Sequence, residues 1–164
     1  LRQLLLQHRD ESVDAYTEIL LMFASKSQHV KNVIEPALAQ GQWVICDRFT
    51  DASVAYQGYG RGLDQDFIAQ LKHYVHGDLE PTKTILFDLD VKIGMARAGK
   101  RSSFDRIEQE EFGFFERVRQ GYLAQAQADP DSYFVVDASQ SMTNVEVQID
   151  QCLQPLLDPA SNAL

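Results

Sequence analysis

Apolar residues return at helical spacing through "DAYTEILLMFASKSQHVKNVIEPALAQG", where Ile19, Met22, Phe23, Val30, Val33, Ile34 and Leu38 fall near a 3.6-residue period. That pattern predicts one long amphipathic helix over residues 14–41, capped by Asp14, bent in its last turns by Pro36 and ended by Gly41. The period then changes. "WVIC", residues 43–46, is a short continuous apolar run of the kind a parallel strand shows when it is covered on both faces. "SVAYQGYGRG" reads as a helical turn bearing Tyr56 and Gln57, followed by a glycine-rich loop. Asp64 and Gly77 bracket the next helix, "DQDFIAQLKHYVHG". A second strand, "KTILFDLD", leads into a short helix over 91–98. After a polar gap, "EEFGFFERVRQGYLAQAQA" sets Phe112, Phe115, Val118 and Tyr122 on one helical face. A third strand, "YFVVDA", and a helix over about 144–157 follow. Strands alternating with helices imply an α/β fold on a parallel sheet. With no repeat, low-complexity tract or linker, residues 1–164 are expected to form a single domain.

Composition narrows the partners. At 164 residues and 45% hydrophobic, the chain can bury a sizeable core. A net charge of −9 argues against a nucleic-acid binder, whose affinity comes from basic groups neutralising phosphates. No apolar run approaches the ~20 residues of a membrane span, and "LRQLLLQHRD" lacks a signal peptide's hydrophobic stretch, so a cytoplasmic protein with no membrane partner is expected. Cys46 and Cys152 form no CxxC pair, and neither a disulfide framework nor a zinc site is suggested; Cys46, inside its apolar run, reads as packing. The histidines lack metal partners and read as surface or satisfied side chains. Of the fifteen basic residues, six lie between residues 97 and 119: Arg97, Lys100, Arg101, Arg106, Arg117 and Arg119. They are either a local site for a small anion or a solvated helix face paired to Glu108, Glu110, Glu111 and Glu116.

Ligands of open α/β sheets bind beyond the carboxyl ends of the strands, which singles out Asp47 and Arg48. The carboxylate suits magnesium and the guanidinium suits a bidentate phosphate contact; a strand-end ion pair or turn cap is the alternative. Tyr56 and Gln57 set a planar ring beside an amide, a pair suited to a nucleobase or sugar edge. "GMARAGK" matches GxxxxGK, but Arg101 stands where a phosphate loop needs Ser or Thr, and the stretch reads as helix.

Taken in order, "EILLMFASKSQHVKNVIEPALAQGQWVIC", "DRFTDASVAYQGYGRGLD" and "FDRIEQEEFGFFERVRQGYL" resemble bacterial thymidylate kinase over nearly the whole chain. The resemblance implies a P-loop NTPase-like parallel sheet flanked by helices, of the nucleoside monophosphate kinase type. It also implies transfer of the γ-phosphoryl group of ATP, with Mg2+, onto dTMP to give dTDP, and a homodimer paired through helices. Carried over by position, Arg48 grips the substrate phosphate and Asp47 helps arrange metal and nucleotide. Tyr56 lies beneath the deoxyribose, Gln57 and Ser53 neighbour the base, and Phe23 with Lys26 stand where many members carry an aromatic and an arginine for the thymine. Phe23 reads equally as core. Arg97, Lys100, Arg101 and Arg106 fall in a basic lid over about 97–108, with Asp105 and Glu108 at its acidic positions. Ala138 and Ser139, together with Arg101, fall beside ATP. The family's first strands and glycine-rich phosphate loop would precede the point matching Leu1, so the chain reads as N-terminally truncated and short of ATP binding. A noncatalytic nucleotide-binding or interaction protein that retains the monophosphate pocket is the alternative.

Overall fold

A computed structural model describes residues 13–98, 107 and 110–157. Two compact units divide the chain, one of residues 1–79 with 101–122, the other of residues 80–100 with 123–164.

The first unit opens with α1 (Ala15–His29), where the Asp14 carboxylate accepts the N–H groups of Tyr16 and Thr17, two donors with no partner inside the helix. The backbone stays helical through a π turn (Val30–Ile34) into α2 (Glu35–Ala39), and Gly41 ends it at φ 71°. The widened turn lies just ahead of Pro36, whose ring crowds the carbonyl four residues back and which lacks an N–H to close the ordinary ladder. The buried stripe is narrower than the periodicity suggests: Ile19, Phe23, Val30 and Ile34 are buried, whereas Val33 and Leu38 are exposed.

Phe23 and Ile19 pack with Leu63 and Ile68, joining α1 to α4 (Gln65–His76). Asp64 caps α4 by accepting the Asp66 N–H, and Gly77 stops it at φ 55°, as the sequence predicts. A second cluster of Ala55, Ile107, Phe114 and Val118 sits between α6 (Phe112–Ala128) and the segment formed by α3 (Thr50–Ser53) with the π turn Val54–Gly60. Phe114 occupies the core of this cluster; Phe112, expected on the buried face, is exposed.

The expected glycine-rich loop is helical, because its glycines serve close packing. A Cβ at Gly60 would come within 2.7 Å of the Phe114 ring, and one at Gly121 within 2.8 Å of the Tyr59 ring. The Arg117 guanidinium donates to the Gly60 carbonyl through Nε and Nη2 at 3.2 and 3.1 Å, tying the turn to α6.

Residues 43–46 form no strand. Among the described residues no strand lies beside them to accept a ladder, so their side chains stand in solvent, Trp43 at 64% and Ile45 at 97% exposure. Cys46 is exposed for the same reason and does not pack inside a sheet.

In the second unit, β1 (Thr84–Asp88) and β2 (Tyr133–Asp137) pair in parallel, from Thr84 opposite Tyr133 to Asp88 opposite Asp137. Asp90 caps α5 (Val91–Ala98) through the Lys92 and Ile93 N–H groups. The GxxxxGK match is therefore helical over residues 94–98 rather than curled as a phosphate loop. On β2 packs α7 (Met142–Leu157), whose Gln148 Oε1 accepts the Asp137 N–H at 2.9 Å.

Candidate functional site

The helical segment from Thr50 to Gly60 shows two different faces. Ser53 and Gln57, four residues apart, turn toward α1: Lys26 Nζ donates to Ser53 Oγ at 2.9 Å, and Gln57 Nε2 donates to Glu18 Oε1 at 2.9 Å. Partner numbers fall on α1 as they rise on the segment, so the two run in opposite directions. Tyr56 turns the other way, toward α6, with ring centroids 6.1 Å from Phe114 and 6.3 Å from Tyr122 in edge-on contacts.

Arg48 stands at the entrance to this segment in a left-handed conformation, φ 64°, which a residue with a Cβ adopts at a cost of about 1–2 kcal/mol. Its guanidinium carbon lies 5.4 Å from the Tyr56 ring centroid, a cation–π distance. Asp47, Asp51 and Arg48 all act electrostatically on the Tyr122 phenol, so these charges gather around one pair of tyrosines. Burial pushes that phenol above its ordinary range, with Tyr56 adding to the rise.

Lys26 is the second unusual group. Burial lowers its ammonium from 10.5 to about 8, and the opposing charges of Cys46 and Asp51 recover only part of the loss. Cys46 is exposed to solvent on one side, and the partial desolvation on its other side, with Asp47, pushes its thiol up while Lys26 pulls it back. Lysine, cysteine and the two aspartates thus form one electrostatic neighbourhood next to Ser53.

The structure brings Lys26, Asp47, Arg48, Ser53 and Tyr56 into this unit's polar neighbourhood. Phe23 behaves differently. At 2% exposure its ring is enclosed by Ile19, Leu63 and Ile68, and Lys26 Nζ lies 5.2 Å from its centroid. It serves the core and offers no open face to a base; Met22, its neighbour, packs on the Tyr56 side.

Several groups carry more of the geometry than the sequence indicates. Glu18, 1% exposed, accepts from Gln57 and from Arg61, which also holds Glu110 at 2.7 Å and sets its guanidinium carbon 4.8 Å from the Phe114 ring. The available signal is a carboxylate inside a buried apolar stripe, beside Ile19, which demands a partner. His76 is the satisfied histidine expected. Its Nδ1 meets the Leu79 carbonyl, which can only accept, and Nε2 pairs with Thr50 Oγ1 at 2.6 Å.

In the second unit, Arg97 Nη1 donates to the Ala138 carbonyl at 3.0 Å, joining a residue of the expected lid to the loop expected beside ATP. Ser139 gives both its N–H and its hydroxyl to Asp137 Oδ1, which holds that carboxyl below its ordinary value. Lys100, Arg101, Asp105, Arg106 and Glu108 lie outside the described residues.

Asp47 is exposed, and among the described residues no three acidic, histidine or cysteine side chains converge as a metal cage. Asp47 offers one exposed carboxylate, a hard oxygen donor of the type magnesium takes, and no three-ligand protein site includes it among the described residues.

A family model described as "Thymidylate kinase" matches residues 1–149. The thymidylate kinase of Pseudomonas savastanoi pv. phaseolicola is 52% identical over 158 residues, covering 96% of this chain and 75% of that protein. That of Teredinibacter turnerae is 47% identical over 157 residues, covering 96% and 77%. Among solved structures, thymidylate kinase from Ehrlichia chaffeensis superposes with a TM-score of 0.69 at 31% identity, over 88% of this chain and 68% of that one.

Proposed function

The chain belongs to the thymidylate kinase family, and on that premise we propose that it serves the phosphorylation of dTMP to dTDP with ATP as donor. The observation that carries the reading is Arg48, strained at φ 64° with its guanidinium over Tyr56, beside the part-buried Lys26–Ser53 pair. Strained backbone concentrates where a side chain must be held for a ligand. On this reading the fork of donors is there to grip a nucleotide's phosphate while its sugar lies near Tyr56. On this reading Ser53 and its partner Lys26 neighbour the base.

A phosphate oxygen of dTMP attacks the γ-phosphorus of ATP, the bond to the β–γ bridging oxygen breaks, and ADP leaves with that oxygen's electrons. Proteins assist this step mainly by aligning donor and acceptor and by stabilising spread negative charge. Arg48 fixes the acceptor phosphate. Arg97, Lys100, Arg101 and Arg106 supply cationic groups from the lid, where excluded water makes each charge more effective. Ala138 and Ser139 flank the adenine. Asp47 would help hold magnesium, which would supply neutralisation of phosphate charge.

The working assembly is a homodimer paired through helices; the exposed Leu20, Val33 and Leu38 are apolar surface that such a contact would cover. No described helix is long and apolar enough to cross a membrane.

The family's GxxxxGK[ST] loop has no counterpart within these 164 residues, so two measurements are made. Titration calorimetry of the 164-residue chain should show dTMP binding and no ATP binding. A coupled ADP-release assay on the product of the complete natural coding sequence should show turnover with dTMP. Loss of dTMP binding in the first refutes the site; binding there without turnover in the second favours the noncatalytic alternative.

A further inference from the structure

The two residues that follow Arg48 both meet one side chain, that of His76. The Phe49 ring lies 4.7 Å, centroid to centroid, from the imidazole, and Thr50 Oγ1 lies 2.6 Å from Nε2. Thr50, the first residue of α3, and His76, the last of α4, are both buried. The imidazole is fixed on its other side as well: Nδ1 lies 3.0 Å from the Leu79 carbonyl, and the Leu79 N–H returns to the His76 carbonyl at 3.0 Å. A carbonyl can only accept, so the hydrogen sits on Nδ1. The neutral ring then presents a lone pair at Nε2, to which the Thr50 hydroxyl donates.

This pair lies directly downstream of the left-handed residue. A side chain with a Cβ keeps a positive φ only where its surroundings enforce it, and at Arg48 the enforcement has two sources. The Tyr56 ring meets the guanidinium, and His76 meets the next two residues of the backbone that carries it. We infer that His76 is a positioning residue for phosphate recognition: by holding Phe49 and Thr50 it keeps Arg48 in the conformation that presents its guanidinium, without touching the nucleotide. The inference rests on the nucleotide reading proposed above and adds to it a residue from the far end of α4. Freed of that hold, Arg48 relaxes to the ordinary region of backbone space, and the fork of donors leaves the phosphate while the rest of the pocket stands.

The test compares dTMP with thymidine, which lacks the phosphate, by titration calorimetry on the product of the complete natural coding sequence. The ratio of thymidine to dTMP dissociation constants reads the grip on phosphate alone. Thr50→Val keeps the shape and removes the hydroxyl; His76→Asn keeps a donor for the Leu79 carbonyl and no longer reaches Thr50. A left-handed residue costs the equivalent of a roughly five- to thirtyfold preference for other conformations, so the ratio should fall about tenfold in each variant. Thr50→Ser, which retains the hydroxyl, should keep the wild-type ratio, and in an Arg48→Ala background Thr50→Val should lower it no further. A merely structural His76 would weaken both ligands alike; an unchanged ratio overturns the inference, as does full additivity with Arg48→Ala. If His76→Asn does not fold, Thr50→Val decides on the same criteria. A second readout needs no nucleotide: the difference in urea midpoint between Arg48→Gly and Arg48→Ala should shrink in the Thr50→Val background, and an undiminished difference overturns the inference while leaving dTMP binding intact. Failure of the wild-type protein to bind dTMP would instead overturn the nucleotide reading beneath it.

Discussion

Replacing Lys26 by methionine should make the protein more stable at pH 7 and less stable at pH 10. In the folded state burial lowers the ammonium from 10.5 to about 8. That difference corresponds to roughly 3 kcal/mol of penalty on the charged form. The sign follows from proton counts. Below pH 8 both states hold the proton and the penalty is present in full. Between pH 8 and 10.5 the unfolded chain holds more protons than the folded one, so wild-type stability rises with pH across that window. Methionine removes the buried charge but leaves the Ser53 hydroxyl, which is wholly buried, without its 2.9 Å donor, and it also loses the contact of Nζ with the Phe23 ring. Those losses together come to roughly 1.5–2 kcal/mol. The variant should therefore gain about 1 kcal/mol at pH 7, a rise of about 2–4 °C in melting temperature for a chain of this size. By pH 10 most of the penalty on the wild type has gone, and the order should reverse. Urea unfolding of both proteins at pH 7, 8.5 and 10, each in a Cys46→Ser background, reads the effect, because the thiol coupled to Lys26 is then gone and groups that do not interact with Lys26 cancel in the difference. A gap that stays constant across the three pH values would refute the assignment of a desolvated ammonium at Lys26. On the same account, dTMP binding near pH 8.5 should take up a proton, visible as a binding enthalpy that changes with the buffer's ionisation enthalpy.

Arg48→Gly should be more stable than Arg48→Ala by about 1 kcal/mol in urea, because only glycine relieves the left-handed φ, while both lose dTMP affinity; equal stabilities would remove the strain argument. Gly121→Ala should destabilise by about 1–3 kcal/mol, since its Cβ would sit 2.8 Å from the Tyr59 ring and 3.0 Å from the Ala55 backbone. Gly94→Ala in α5, whose nearest neighbour is Leu89 at 3.7 Å, should instead stabilise by about 0.5–1 kcal/mol, and thermal melts of the pair check both signs. Arg101→Ala and Arg106→Ala in the catalytically complete protein should lower kcat more than dTMP affinity; unchanged kcat in both would remove the lid from the mechanism.

Elements whose signal is local were legible in the sequence. The caps at Asp14 and Asp64, the stops at Gly41 and Gly77, and the strands β1 and β2 stand where turn chemistry and periodicity put them. Features that depend on a neighbour were not. The run at residues 43–46 reports apolar side chains that would be at home in a covered strand, but it carries no information on whether a ladder lies beside it; Ile45 ends up in solvent. Phe23 illustrates the same limit at the site. Adjacent apolar positions 22 and 23 on a helix differ by about 100° in direction, and which one faces α4 and which faces Tyr56 is decided by the packing of two clusters. The π turns at Val30–Ile34 and Val54–Gly60 follow from Pro36 and from close approach to α6, and neither has a periodic signature of its own. Asp47, Arg48 and Tyr56 were singled out by position and type alone, by a rule that places ligands at strand ends; the run before them forms no strand, yet the structure does set the Arg48 guanidinium over the Tyr56 ring.

Three costs fall on ten consecutive residues and the helix opposite them: the left-handed backbone at Arg48, the desolvated ammonium at Lys26 against Ser53, and the partnerless oxygen of Gln57. Each is worth about 1–3 kcal/mol, in a class of protein whose whole stability is about 5–15 kcal/mol. Such arrangements persist where the surrounding packing enforces them, and here both apolar clusters do so, one behind Phe23 and the other behind Tyr56. A nucleoside monophosphate offers the complementary groups: a dianion for the guanidinium, a carbonyl for the ammonium and a ring N–H for the oxygen. On the proposed function, the same ligand would relieve the latter two costs and use the conformation that the first one maintains. On the function proposed above, the polar face of residues 50–60 is a preorganised receptor rather than a poorly packed helix contact, and loss of dTMP binding by the chain would return it to the second reading.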